Sequence, residues 1–574
     1  MEQLCYIQVL LPLRLEWEPY YLVPEEMTVR AGEHVRVEFA CKDYVAVVTA
    51  VGVQPRQELV SRVLYIKARE PELPPVFPEE IRFWRTLAEY YLCTAGEVYK
   101  AACPVRERSG EPPSIPEAAA GKLELTSTQA AVADTCRSAL QGGKPVLLRA
   151  AAGRTEIYLQ LALQTLAAGR SVLLLVPEIA LTRQLEERIR SVIPQALVYN
   201  SAKTAKRRAA VAAAVRGGEP YLVLGTRSAL FLPHRNLGLV VVDEEHDHSF
   251  KQDSPAPRYH ARESAIMLSL VQGASVLLGS ATPSLESLYN AQNKRFVQVD
   301  FKESFNSGKA ARIALIDTAG EYRKKGMAGS FSLKLLAHMK EALDGGKQVL
   351  LLGPRRSSFQ GQKLVSEVRE IFPTASITFL DEAPKAGEQG DIIIGGAYLT
   401  KGFQARDLGL VAAVAADSIL ARQDFRADER AVQELEQLKG RCPLVVIQTR
   451  EAAHPVFSRL AAGEDAVGPM LEERRIASLP PYTRLLHLSV KDTDAARVDA
   501  LSRELAAAIP LPLVGPYTPA VAERQPGKHV RQIRIMLPRD KALKERKTQL
   551  KALVQAFEKT HKYMGHITLD VDPA

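Results

Sequence analysis

An α/β fold built on buried parallel strands is predicted by three stretches of this sequence. Leu239-Val240-Val241-Val242 is an apolar run that stops at Asp243-Glu244-Glu245-His246. Val276-Leu277-Leu278 stops at Gly279-Ser280-Ala281-Thr282-Pro283, and Val172 to Val176 stops at Pro177-Glu178, just before Leu181-Thr182-Arg183-Gln184-Leu185. Runs without polar alternation suit strands covered by helices on both faces. Polar groups at the C-terminal ends of such strands stand where open α/β sheets place ligand chemistry. There an Asp suits Mg²⁺ and a neighbouring Glu suits polarising a water in phosphoryl transfer. A strand followed by a solvated acidic turn is the simpler alternative.

The chain has 574 residues, 46% hydrophobic and 25% charged, which allows roughly three to five domains of ordinary globular composition. No apolar run is long enough for a membrane span, and Met1-Glu2-Gln3-Leu4-Cys5 lacks the basic start of a secretory signal. The cysteines at 5, 41, 93, 103, 136 and 442 form no C-x-x-C pair, so neither a disulfide framework nor a structural zinc site is expected. A cytoplasmic location fits that usage. The net charge of +9 suits a polyanionic partner.

Taken in order, residues 1–70 read as β-rich, with strand character at Tyr6–Leu11, Glu33–Phe39 and Tyr44–Ala50 and turn signals at Pro12, Pro24 and Gly32. After Pro71–Pro78, the segment Ile81–Leu92 places Trp84, Leu87, Ala88 and Tyr91 on one helical face, a core stripe rather than a base-stacking one. Residues 107–120 read as a linker. Pro145–Leu148 predicts a strand that leads into Arg149-Ala150-Ala151-Ala152-Gly153-Arg154-Thr155. A phosphate loop at this place would read G-x-x-x-x-G-K-[ST], its glycines letting backbone N–H groups wrap the phosphates and its Lys bridging the terminal ones. Here Ala stands at the flexible positions and favours running the following helix backwards, while forked Arg154 does not replace a point charge. Thr155 retains the hydroxyl that would reach Mg²⁺.

Gly225-Thr226-Arg227-Ser228-Ala229-Leu230-Phe231, Asp243 to His246, Arg258-Tyr259-His260-Ala261-Arg262 and Gly279 to Pro283 occur in an order and spacing that resembles the PriA family of replication-restart helicases, also called primosomal protein N′. The resemblance spans about residues 1–105 and 120–574. It implies two RecA-like helicase lobes, at 120–300 and 310–450. Before them stand a β-rich domain at 1–70 that binds a DNA 3′ end and a winged helix at 75–106. An α+β DNA-binding domain follows at 455–574.

The resemblance also assigns roles. Asp243, Glu244, His246 and Arg441 are the catalytic candidates. Gln129, Gly153, Arg154, Thr155, Ser280 and Thr282 are the nucleotide-binding ones. Gly32, Thr226, Arg227, Tyr259, Arg262, Lys401 and Arg531 are the DNA-binding ones, and the basic residues Lys528, Arg534, Lys544, Arg546, Lys547 and Lys551 accompany Arg531.

Three departures from the family pattern are visible. The zinc module that follows the strand ending in Arg355-Arg356 is absent, because Ser357-Ser358-Phe359 leads straight into a helix at Lys363–Phe372. The motif at Ile394–Gly402 lacks its Thr and Gln, and Gln437-Leu438-Lys439-Gly440-Arg441-Cys442 keeps only one of two arginines. An arginine finger and a phosphate-loop lysine act on the same transition state, so their joint loss points to weak or absent ATP turnover.

Three readings stay open at this stage. The first is a replication-restart protein that binds branched or forked DNA, recruits single-stranded-DNA-binding protein and helicase-loading partners, and has lost, or nearly lost, ATP-driven unwinding. The second is an active 3′→5′ helicase that tolerates Arg154, and the third is a scaffold that no longer binds DNA. Whether ATP binds is left open by the sequence, and Mg²⁺ would enter through Thr155 and Asp243 only together with it. No zinc and no membrane contact are expected in any of the three.

Overall fold

The structure, a computed structural model, describes residues 5–103, 122–178, 180–301, 312–353, 358–380, 390–396, 407–421, 424–439, 442–519 and 527–573. Its centre is a parallel sheet ordered Val297–Phe301, Val146–Ala150, Ser275–Ser280, Leu237–Asp243, Ser171–Leu175, Leu222–Gly225 and Leu197–Tyr199. Leu147, Leu173, Val240 and Leu277 in its inner strands are fully buried, as strands covered on both faces must be. In register, Asp243 lies beside Gly279 and Ser280 beside Arg149, so three strands end together and present one polar edge.

A second parallel sheet, ordered Arg312–Asp317, Leu444–Thr449, Leu408–Ala413, Gln348–Leu352, Ile392–Gly395 and Ile377–Leu380, forms the second lobe. The α/β class therefore holds. The N-terminal unit is a sheet of short strands with the helices Pro78–Tyr91 and Ala95–Ala102 packed beside it, Trp84 stacking on Tyr99 at 5.6 Å between centroids. The C-terminal unit is an antiparallel sheet, Leu513–Tyr517, His529–Pro538, Thr483–Asp492 and Ile567–Val571, with the helices Ala495–Ala508 and Leu543–Thr560. Among the described residues no helix is long and apolar enough to cross a membrane.

One local expectation fails. The alanines do not extend the helix backwards: the strand runs through Ala150, and the helix Arg154–Ala167 begins only after Gly153, whose φ of +75° stops it. That left-handed conformation is one glycine adopts without strain. A Cβ at 153 would also lie 2.9 Å from Gln129 Nε2 and 3.0 Å from Phe301.

Two buried histidines and one half-buried one set an acid limit on this fold. Burial is the main cause that pushes His34 and His234 down to about 4 and His487 down to about 3. Unfolded histidine binds its proton near 6.5, so unfolding takes up protons in this window. The stability these groups contribute is complete above about pH 6.5 and drains as the pH falls towards about 4, by up to roughly 1.4 kcal/mol per histidine and pH unit. The unfolding midpoint, followed by circular dichroism, is expected to fall between pH 7 and pH 4. His234→Asn should flatten that slope, whereas an unchanged slope would assign the acid sensitivity elsewhere.

Candidate nucleotide site at the lobe junction

The polar edge of the central sheet is closed by a side chain from the phosphate-loop position. Arg154 is buried, and its three guanidinium nitrogens are all engaged. Nε donates to Asp243 Oδ1 at 3.0 Å, and the two terminal nitrogens donate to the Ala150 carbonyl and to Glu244 Oε1. Tyr158, one helical turn after Arg154 and on the same face, adds a 2.8 Å hydrogen bond from its hydroxyl to Asp243 Oδ1. Gly279 makes room for that hydroxyl, since a Cβ at 279 would sit 1.7 Å from it.

Burial raises the Asp243 carboxyl above the ordinary range against the pull of Arg154. At Glu244 burial also works upwards, but Arg154 and then His246 outweigh it and hold the carboxyl below its ordinary value. Glu244 has a φ of +50°, the sharp turn by which the strand Leu237–Asp243 leaves the sheet. Gln129 closes the other side: its amide accepts from the Thr126 N–H at 2.9 Å and donates to the Gly153 carbonyl at 3.4 Å.

A second chain of contacts leads from the acids into the opposite lobe. Ser280 Oγ lies 2.9 Å from His246 Nδ1, and the Thr282 N–H donates to Ser280 Oγ at 3.0 Å. From the helix Ala427–Lys439 of the second lobe, Gln437 Nε2 meets His246 Nε2 at 2.9 Å and reaches Thr282 Oγ1 at 3.4 Å. Glu245, fully buried, points the other way, accepting from Arg262 at 2.8 Å, the Ser284 N–H at 2.7 Å and Ser287 at 2.9 Å.

Three comparisons with known proteins bear on this arrangement. The family described as 3′DNA-binding domain (3′BD) matches residues 8–104, DEAD/DEAH box helicase matches 126–291, and Primosomal protein N C-terminal domain matches 475–574. Replication restart protein PriA of Rickettsia felis is 26% identical over 99% of this chain and 99% of its own. Replication restart protein PriA of Haemophilus influenzae is 31% identical over 73% of this chain and 68% of its own. The chain belongs to the PriA family. A solved RecG bound to a three-way DNA junction is a remote likeness, with a TM-score of 0.39 and 15% identity over 73% of this chain and 57% of that one.

The PriA family and its DEAD/DEAH match imply a nucleotide with a divalent cation, and the residues present do not fit that pair as they stand. The acids a cation needs are bridged by a guanidinium, and a cation placed there would meet its positive charge at contact distance. All three Arg154 guanidinium nitrogens are taken by protein oxygens, which leaves none of them for a phosphate. Thr155 sits half-buried in the first turn of its helix. Arg441 and Lys401 lie outside the described residues. Among the described residues no cluster of His, Cys, Asp and Glu that could hold a metal ion is found.

The DNA-binding candidates are placed differently from the PriA-like expectation. Tyr259 is 2% exposed, edge-on to Phe231 at 5.1 Å, so its ring offers no face to a base. Arg262 is buried between Glu245 and Glu263. Thr226 is buried, and Arg227 donates to the carbonyls of Ser249 and Lys251 at 2.6 and 3.0 Å, bracing that loop. Arg531 pairs with Asp499 of the helix Ala495–Ala508 at 2.7 Å, on the covered side of the C-terminal sheet. Gly32 has a φ of +90°, and a Cβ there would strike the Val76 carbonyl at 2.3 Å, a packing reason for the glycine.

The basic run after Arg531 is also engaged with protein groups, though Lys544 stays exposed. Lys544 pairs with Glu89 at 2.7 Å, Arg546 with Asp540 at 2.7 Å, and Lys547 donates to the Tyr90 carbonyl. Lys551 donates to the Cys93 carbonyl at 3.0 Å. Lys544, Lys547 and Lys551 dock the helix Leu543–Thr560 on the N-terminal unit, whereas Arg546 pairs within the C-terminal one. Tyr158 and Gln437 were not among the residues singled out beforehand. The i, i+4 spacing from Arg154 was the available signal for the first, and its place at the head of Gln437-Leu438-Lys439-Gly440-Arg441-Cys442 for the second.

Proposed function

We propose that this protein is a cytoplasmic replication-restart factor that binds branched or forked DNA and has given up ATP-driven unwinding. Family membership supports the DNA-binding and restart reading, and single-stranded-DNA-binding protein and helicase-loading proteins are the partners it implies. The observation that carries the loss of the motor is the bridging of Asp243 and Glu244 by Arg154. With that bridge in place, a guanidinium stands between the two acids where a cation would have to sit. A phosphate-release assay with forked DNA tests this. No turnover above background is expected, and Glu244→Gln should change nothing; DNA-stimulated turnover that Glu244→Gln abolishes would overturn the reading.

The rival, a 3′→5′ helicase that tolerates Arg154, is favoured by one observation. The chain Ser280, His246, Gln437 and Thr282 still couples the acid turn to the second lobe. The same assay decides between them. A scaffold that does not bind DNA is excluded if fork affinity falls linearly in log–log form with salt, the mark of phosphate contacts.

A further inference from the structure

The Arg154 cluster holds one positive and two negative groups at the ends of two elements that are far apart in sequence. Asp243 and Glu244 are consecutive on a strand end, and their like charges are brought together in a partly buried pocket, 18% and 24% exposed at their side chains. Two neighbouring carboxylates removed from water must be neutralised, by a proton, a metal ion or a basic group. In this chain the guanidinium does it with directed hydrogen bonds: Nε on one acid, one terminal nitrogen on the other, and the second terminal nitrogen on the Ala150 carbonyl. The Tyr158 hydroxyl fixes Asp243 from the side. Glu244 Oε2 is buried without a hydrogen-bond partner, 3.7 Å from His246 Nδ1. One oxygen of the pair thus remains unsatisfied even with the arginine in place.

We infer that Arg154 is a built-in counter-ion standing where a divalent cation would otherwise balance these acids, so that this site is metal-independent until the guanidinium is removed. This rests on the functional reading above only in taking the site as non-hydrolytic. The geometry follows from side-chain reach. Arginine is planar and forked, and spans two carboxylates and a carbonyl at once, which a lysine ammonium on the same backbone cannot do. Without the fork, Asp243 and the unsatisfied Glu244 form an all-oxygen pair of the kind hard divalent cations prefer. Arg154 then acts on charge balance and fold, not on phosphate.

The test uses the full chain, without DNA or nucleotide, and reads thermal unfolding in EDTA against Mg²⁺ and Mn²⁺ in the millimolar range. The wild-type midpoint should not move with either ion. Arg154→Ala should unfold earlier in EDTA and regain about 2–4 °C with Mn²⁺, a ligand-linked shift that Asp243→Asn in the same background removes. Should Arg154→Ala not fold, Arg154→Lys decides in its place. Its single ammonium leaves one acid free, so bound Mn²⁺ should appear by electron paramagnetic resonance where the wild type shows none. A wild-type midpoint that rises with Mn²⁺ and loses the rise in Asp243→Asn would overturn the inference, because Arg154 would then yield to the ion. Folded Arg154 variants that bind no Mn²⁺ would overturn it too. None of these readouts depends on ATP turnover, so turnover by the wild type would sink the functional reading alone.

Discussion

Arg262→Ala is expected to cost the fold about 3–5 kcal/mol, the range for removing one partner of a buried ion pair. The guanidinium donates to Glu245 at 2.8 Å, to Ser284 Oγ at 2.6 Å, and with its other two nitrogens to Glu263 at 2.8 and 2.6 Å. Glu245 is 0% exposed, so its charge has no water to turn to once the arginine is gone. Burial alone would raise the Glu263 carboxyl, yet Arg262 and then His260 hold it well below the usual range. Truncation therefore strands two carboxylates rather than one. Urea unfolding of the two proteins measures the loss, and a difference under about 1 kcal/mol would refute the account. Arg262→Lys should recover little, because one ammonium cannot serve both acids. Fork binding supplies an independent check. A phosphate-contacting residue lowers the salt slope by about one when removed, and Arg262 is expected to leave that slope unchanged.

The loss would spread beyond the first lobe. Next to Ser284, the Leu285 N–H donates to Glu429 of the second lobe at 2.8 Å, and Arg474 pairs with Glu429 at 2.7 Å. Glu286 meets Arg426 at 2.7 Å, and despite burial the arginines around it hold its carboxyl down to about 2. First lobe, second lobe and the helix Val467–Ile476 thus share one set of buried charges, in which Glu245, Glu286 and Glu429 each take a cation from another element. Additivity is not expected within such a set. A double variant of Arg262 and Arg474 should differ from the sum of the single losses.

The strands of this fold were legible because burial leaves a local mark. Four consecutive apolar residues before Asp243 read as a covered strand, and so did the run before Gly279, whereas the register of the two came from the structure. The acid turn and the small hydroxyl residues were legible for the same reason, since polar groups at a strand end interrupt an apolar pattern. The partners of long cationic side chains leave no local mark. Arg154 was readable as a poor phosphate ligand, but its hydrogen bond to Asp243 crosses 89 positions. The resemblance assigned Arg262 to DNA, and its burial against Glu245 ties it to the acid turn instead. Arg531, Lys547 and Lys551 read as a basic patch because charge alone does not say whether a helix faces solvent or another domain. Arg531 is taken by Asp499 within its own unit, and only Lys547 and Lys551, on the carbonyls of Tyr90 and Cys93, dock on the N-terminal unit.

Lys251→Met is the second large effect, and its expected form is different. The Lys251 ammonium is fully buried and donates to Asp570 Oδ1, to the Val571 carbonyl and to the Arg258 carbonyl, each at 2.7 Å. It ties a loop of the first lobe to the last strand, Ile567–Val571, of the C-terminal sheet. Beside it the His260 N–H donates to Tyr91 Oη at 2.9 Å, so the helix Pro78–Tyr91 meets the same junction. Methionine has nearly the same length and no charge, so the packing survives while Asp570 and two carbonyls lose their donor. Burial already raises the Asp570 carboxyl, with Lys251 the chief opposing group, and losing that cation should drive it to take a proton. The cost, again about 3–5 kcal/mol in the buried-pair range, falls on the junction rather than on either core. Hydrogen exchange should accelerate across Ile567–Val571 and Thr483–Asp492 while the central sheet stays protected. Lys251→Met with Asp570→Asn should recover part of the loss, because the stranded charge disappears with its partner. If exchange quickened equally in all sheets, the junction would not be a separable unit. If the double variant were worse than the single one, the ion pair would not be what holds the strand in place. Fork affinity completes the test: a rigid junction keeps the N-terminal and C-terminal units at one spacing, so loosening it should weaken binding to forks more than binding to single strands.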